Sequence, residues 1–281
     1  MKHARLLTFF LAIIITLNAA AQTARIYTSA DGLANSHIHD IFQDSKGFIW
    51  LSTENGLSRF DGIRFYNATV DISRPSSIAS NIVRTVFEDS MGKFWVGTSA
   101  GLQTFDTEYS RFTKVNLEDW SVPDSDQHIV SIIEIFHNGE RKIIASSSGH
   151  GLYIINAENH QIDRETQNFI NKLLPSKFIS RVFKDSAQRL WIATEDGGVK
   201  VIDLNKTAEI SDIWEKDLIK ESSDIINTLV EDEATGNIFL GSTNNGIMIW
   251  EAATGKIRRT KKDTGKGISI MSMIPNNLIT R

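Results

Sequence analysis

The chain has 281 residues, 41% hydrophobic and 23% charged, with a formal net charge of −4 and no cysteine. Ordinary globular usage excludes a disordered polyelectrolyte, and the acidic balance offers no basic field for nucleic acid or an anionic membrane surface. The missing thiols exclude disulfides, thiolate metal sites and a lipid anchor on cysteine.

Lys2, His3 and Arg5 open the chain with positive charge, Leu6 to Leu17 is apolar, and Asn18-Ala19-Ala20-Ala21 is a small-residue cleavage site. That order is the pattern of an export signal, with residues 1–21 expected to be removed. The apolar run falls short of the ~20 residues that cross a bilayer comfortably, which places an uncleaved anchor second.

From Ile38 onward one pattern returns. Ile49-Trp50-Leu51-Ser52-Thr53 is matched by Phe94-Trp95-Val96-Gly97-Thr98, Ile143-Ile144-Ala145-Ser146-Ser147, Leu190-Trp191-Ile192-Ala193-Thr194 and Ile238-Phe239-Leu240-Gly241-Ser242. The bulky column Trp50, Trp95, Ile144, Trp191 and Phe239 recurs at intervals in the high forties, a repeat architecture. Before it stand apolar runs, Ile38 to Phe42, Val83 to Phe87, Ile129 to Ile135, Ile179 to Phe183 and Ile226 to Val230, with Asp44, Asp89, Asp185 and Asp232 beginning turns. After it come Gly56-Leu57, Gly101-Leu102, Gly151-Leu152, Gly198-Val199 and Gly246-Ile247, each opening another short run. Ile63 to Tyr66 and Arg111 to Val115 supply a fourth strand. Four short strands per period of this length predict an all-β fold, a β-propeller of four-stranded blades. Blades are expected near 26–70, 71–120, 121–165, 166–215 and 216–262, with part of a sixth over 263–281. The continuously apolar triplets need cover on both faces, which neighbouring blades provide. The small column Ser52, Gly97, Ser146, Ala193 and Gly241 suits a crowded position near a tapering axis.

These residues resemble the two-component regulator propeller repeats of periplasmic sensor regions in hybrid two-component systems, especially of Bacteroidetes. The resemblance rests on Asp31-Gly32-Leu33, Asn35-Ser36, Gln43-Asp44-Ser45-Lys46-Gly47-Phe48-Ile49-Trp50, Asn55-Gly56-Leu57-Ser58-Arg59-Phe60-Asp61-Gly62 and the connector Arg74 to Asn81. It runs from about Ile26 to the end and weakens over the third repeat, where Ile144 replaces Trp and the Asp-x-x-Gly turn is lost. The resemblance implies a sensor region followed by an immunoglobulin-like domain, a transmembrane helix, a histidine kinase core and often a receiver with a DNA-binding domain. It implies oligosaccharides as signals, a periplasmic location, and downstream sensor domains and a homodimer as partners. The last repeat begins at Gly267 and breaks off at Arg281 within a strand, so a fragment or truncated frame with an open flank is expected.

No catalytic constellation stands out, and no cofactor is expected. Most acids fall on turn and strand-end columns; His37 and His39 alternate onto one strand face without a third ligand at a suggestive spacing. Neither a Gly-rich nucleotide loop nor a kinase phosphoacceptor helix is present. Candidate ligand contacts are sought where the repeat breaks. Trp120 and Trp214 lie off the bulky column in inter-blade segments, as aromatic platforms for a glycan or, more commonly, as packing. His150 and Asp196 sit in polar turns. A secreted propeller enzyme such as a lyase, and an interaction scaffold, are the alternatives.

Overall fold

The computed structural model describes residues 25–117 and 127–259, apart from 138, 197, 205–209, 213–224 and 245. Trp120, Trp214, the export signal and the partial sixth blade lie outside the described residues.

Five small antiparallel sheets follow one another along the chain and form five propeller blades. Blade 1 is β1 (Ile38–Gln43), β2 (Ile49–Thr53), β3 (Gly56–Phe60) and β4 (Phe65–Ala68). Blade 2 is β5 (Val83–Glu88), β6 (Phe94–Thr98), β7 (Gly101–Asp106) and β8 (Arg111–Lys114). Blade 3 has β9 (Ile129–His137), β10 (Glu140–Ser147) and β11 (Gly151–Asn156), followed by the helix α1 (Arg164–Leu173). Blade 4 is β12 (Ile179–Lys184), β13 (Arg189–Thr194), β14 (Gly198–Asp203) and β15 (Ile210–Asp212), and blade 5 is β16 (Ile226–Asp232), β17 (Asn237–Ser242), β18 (Ile247–Glu251) and β19 (Lys256–Arg259). Strand order within each sheet is the order of the chain, and β1, β5, β9, β12 and β16 lie side by side as the innermost strands.

The core is not inside the blades but between them. Four apolar clusters fill the four seams, and Trp50, Trp95, Ile144 and Trp191 each project from one blade into the next. Trp95, Ile144 and Trp191 are fully buried. An indole removes roughly 150–250 Å² from water, a gross gain of about 4–6 kcal/mol before ordering costs. The small column follows from the same packing. A Cβ on Gly97 would meet Ile129 of the next blade at 2.7 Å and Thr85 at 2.8 Å, so crowding comes from the adjoining innermost strand. Gly56, Gly101, Gly151, Gly198 and Gly246 all take positive φ at the start of the third strand, where an L side chain is strained.

Blade 3 corrects the expectation of four strands in every blade. Its outer edge is covered by α1, whose side-chain amides stand in for a strand backbone. Asn171 Oδ1 accepts from Leu152 N at 2.9 Å while its Nδ2 donates to Leu152 O at 3.0 Å, and Gln167 Oε1 accepts from Ile154 N at 3.3 Å. Asp163 N donates to Ile154 O and Asn156 N to Gln161 O, which leaves this edge bonded along its length. Asp163 also caps α1 by accepting from Thr166 N at 3.0 Å.

Candidate functional site

Three polar links recur around the fold and decide which residues are scaffold. In the first, the turn carboxylate grips the indole of its own blade: Trp50 Nε1 donates to Asp44 at 2.8 Å, Trp95 to Asp89 at 2.9 Å and Trp191 to Asp185 at 2.7 Å. The other oxygen of each accepts backbone N–H groups of the turn, as Asp44 does from Lys46 and Phe48. In the second link, a turn serine donates through N and Oγ to a glutamate of the next blade: Ser45 to Glu88, Ser90 to Glu134 and Ser186 to Glu231. In the third, the turn between second and third strands bonds the residue before the innermost strand. Glu54, Ser99, Ser148, Glu195 and Thr243 donate their N–H to the carbonyls of His37, Ile82, His128, Phe178 and Ile225.

The third link defines one end of the blades as a turn face. His150 and Asp196 both lie there, in equivalent turns of blades 3 and 4. Asp196 is exposed; His150 is half-buried with a buried Nδ1 that has no hydrogen-bond partner among the described residues. The bond that ties these two turns runs through their neighbours, from Ser148 Oγ to Glu195 Oε1 at 3.1 Å. On blade 1, Glu54 Oε1 is 3.1 Å from His39 Nε2 and 3.9 Å from His37 Nδ1, and the imidazoles lie 4.9 Å apart. Burial and the nearby Arg84 charge push the His39 pKa down, with Glu54 opposing them. Among the described residues, no group of three or more His, Asp or Glu side chains is arranged to hold a metal ion.

Every innermost strand carries a β-bulge: the register skips His39, Arg84, Val130, Ser180 and Asn227. The residue after each bulge is polar, namely Asp40, Thr85, Ser131, Arg181 and Thr228. Two of these join blades 1 and 2 by the bond Thr85 Oγ1 to Asp40 Oδ2 at 2.8 Å, and Arg181 reaches from blade 4 to Asp40 of blade 1 at 3.3 Å. Sequence reasoning missed this ring, although polar residues inside otherwise apolar runs were its visible mark.

At the opposite end, a cavity of about 550 Å³ opens between blades 3 and 4 beside α1. Ile135, Phe169, Ile170 and Ile202 form its apolar wall, and Lys142 pairs with Asp163 at its rim. Burial would raise the Asp163 carboxyl, but hydrogen bonds from Lys142 and Thr166 and the Lys142 charge outweigh it and lower the pKa to about 2. Among the described residues no helix is long and apolar enough to cross a membrane.

The family model described as "two component regulator propeller" matches residues 32–55 and 77–100. Histidine kinase P4 of Formosa agariphila is 39% identical over 56 residues, which is 20% of this chain and 4% of that protein. The fold is similar to that of the extracellular domain of a hybrid two component system of B. thetaiotaomicron, with TM-score 0.67 and 19% identity over 82% of this chain and 32% of that one. It is also similar to an ancestral GH74 enzyme, with TM-score 0.56 and 12% identity over 85% of this chain and 33% of that one. The chain therefore spans about a third of the solved chains it matches. Both blades that the family model touches hold the Asp–Trp grip, joined by the Ser45–Glu88 bond, and the chain is a β-propeller in which these two stretches match the two component regulator propeller model.

Proposed function

We propose that this chain is the ligand-sensing propeller of a periplasmic two component receptor, recognising oligosaccharides and signalling through downstream domains and a homodimer partner. The observation that carries this reading is the match of regulator propeller repeats over two successive blades, in a fold shared with the extracellular domain of a hybrid two component system. The chemistry of the described residues agrees with binding rather than turnover. The buried carboxylates Asp44, Asp89 and Asp185 are occupied by indoles, and Asp40 by Thr85 and Arg181. The proposed ligand contacts are Trp120, Trp214, His150 and Asp196.

Titration calorimetry of the chain against a panel of neutral and acidic oligosaccharides tests the reading. Saturable heat with an unaltered sugar is expected, and Trp120→Ala or Trp214→Ala is expected to weaken it roughly tenfold, about 1.4 kcal/mol. A panel that neither binds nor raises the melting temperature sinks the saccharide reading. Release of shortened or unsaturated sugar favours the second reading, a secreted propeller enzyme, for which the fold likeness to a GH74 enzyme is the supporting observation.

A further inference from the structure

We propose that the cavity between blades 1 and 2 is a binding site for the carboxylate of an acidic saccharide, with Arg59 as the group that takes the carboxylate. The saccharide part rests on the sensing reading above; the carboxylate part rests on Arg59 and its surroundings.

The repeat itself singles out this residue. Across the ladder between second and third strands, Trp95 faces Thr104, Ile144 faces Ile154, Trp191 faces Val201 and Phe239 faces Ile249. In blade 1 the same place opposite Trp50 holds a guanidinium. Its Cζ lies 4.7 Å from the centre of the Phe48 ring, 5.0 Å from Tyr66 and 5.8 Å from Trp50. The Nε is buried without a hydrogen-bond partner, and among the described residues the guanidinium has neither hydrogen bond nor ion pair. An arginine carries five N–H donors, and a buried donor left unmade costs about 1–3 kcal/mol.

A purely structural role, a cation laid on the indole, is seen in two other blades and looks different. Lys93 lies 5.8 Å from the Trp95 ring and Arg189 lies 5.6 Å from that of Trp191. Both have partners: Lys93 Nζ sits 3.1 Å from His160 Nε2, and Arg189 Nε donates to Asp185 at 2.5 Å. Capping an indole therefore goes with a polar partner in both of those blades, and of the three cations Arg59 alone has none among the described residues.

Arg59 lines a cavity of about 390 Å³, within the size range of small-molecule pockets. Its single acid, Asp71, is taken by Ser73 and by Arg74 at 3.9 Å, so Arg59 gives the cavity an uncompensated positive charge. Tyr66, 39% exposed, lines the same cavity beside the guanidinium. A carboxylate meets a guanidinium fork through two parallel hydrogen bonds, a geometry that lysine cannot copy.

Calorimetry with tri-galacturonate and the neutral maltotriose tests the site on the whole chain. The acidic trimer is expected to bind, maltotriose to leave this site unoccupied, and Arg59→Gln and Arg59→Lys each to weaken the acidic trimer at least tenfold, with melting temperature and far-UV dichroism checked for both. Because the lysine variant keeps the charge and stem, its loss of binding is not explained by unfolding. Undiminished binding to both variants overturns the carboxylate site and leaves the sensing reading standing. Failure of the trimer and of free galacturonate to bind the native chain while a non-sugar carboxylate, glutarate, binds in an Arg59-dependent way overturns the saccharide part alone. Failure of all three carboxylate probes to bind overturns the site altogether.

Discussion

The seam between blades 4 and 5 and the seam between blades 3 and 4 share equivalent inner strands and have opposite solutions. At the first, Trp191 is fully buried, is gripped by Asp185 and meets Trp250 edge to face at 5.2 Å, while Ser186 donates to Glu231. At the second, Ile144 replaces the indole, a short hairpin through Gly139 replaces the aspartate turn, and Lys184 stands in the column occupied by Glu88, Glu134 and Glu231. The losses come in pairs. Without an indole N–H there is no call for a buried carboxylate, and without the turn serine a glutamate has nothing to accept from. At this seam the donor and acceptor couples are dropped together, and a helix and a cavity take their place; in blade 5, where Phe239 replaces the indole, Asp232 is kept but holds only its own turn.

Substitutions can break this contrast, starting with the indole. Trp191→Ala is expected to cost about 3–5 kcal/mol in urea unfolding, against roughly 1 kcal/mol for Ile144→Val at the other seam. Asp185→Ala strands the Trp191 N–H and turn N–H groups and should cost about 1–3 kcal/mol, with Asp185→Asn milder because the amide oxygen still accepts. Equal costs for the two would show that charge, not acceptor capacity, holds the turn. Asn171→Ala removes both bonds to Leu152 and is expected to accelerate amide exchange at Leu152 while Val199, the equivalent residue of blade 4, stays protected. Acid provides a further contrast. Asp163 titrates near 2 when folded and at about 3.8 otherwise, so its contribution is complete above the unfolded value and fades as pH falls from about 4 toward 2. An acid titration of Asp163→Asn should lack that component. The smallest effect belongs to Ser186→Ala, whose exposed clasp with Glu231 is worth about 1 kcal/mol or less.

Much of the fold could be read from the chain because its core is periodic. Trp50, Trp95 and Trp191 mark seams, and Gly56 and its counterparts mark turns where only positive φ fits. What escaped was whatever replaces one hydrogen-bonding solution by another. Helix α1 covers a strand edge with Asn171 and Gln167, a substitution that leaves no trace in strand periodicity; its sign was the cap Asp163 followed by an amphipathic decamer. Glu54 meets His39 because a turn and a bulge bring residues 15 apart into contact, which alternation along one strand does not reveal. Arg59 lies within the Asn55–Gly62 motif, and only the strand register, which sets it opposite Trp50, separates it from its counterparts in the other blades.

The bulges of the innermost strands separate backbone from chemistry. A bulge fixes where its extra residue sits and exempts that residue from pairing, so the fold specifies the place without specifying the occupant. Histidine, arginine, valine, serine and asparagine fill the five places, all half-buried. In evolutionary terms this is a ring of interchangeable settings near the axis: one mutation at a time can retune polarity and charge there while the ladders, seams and grips that hold the blades are left alone.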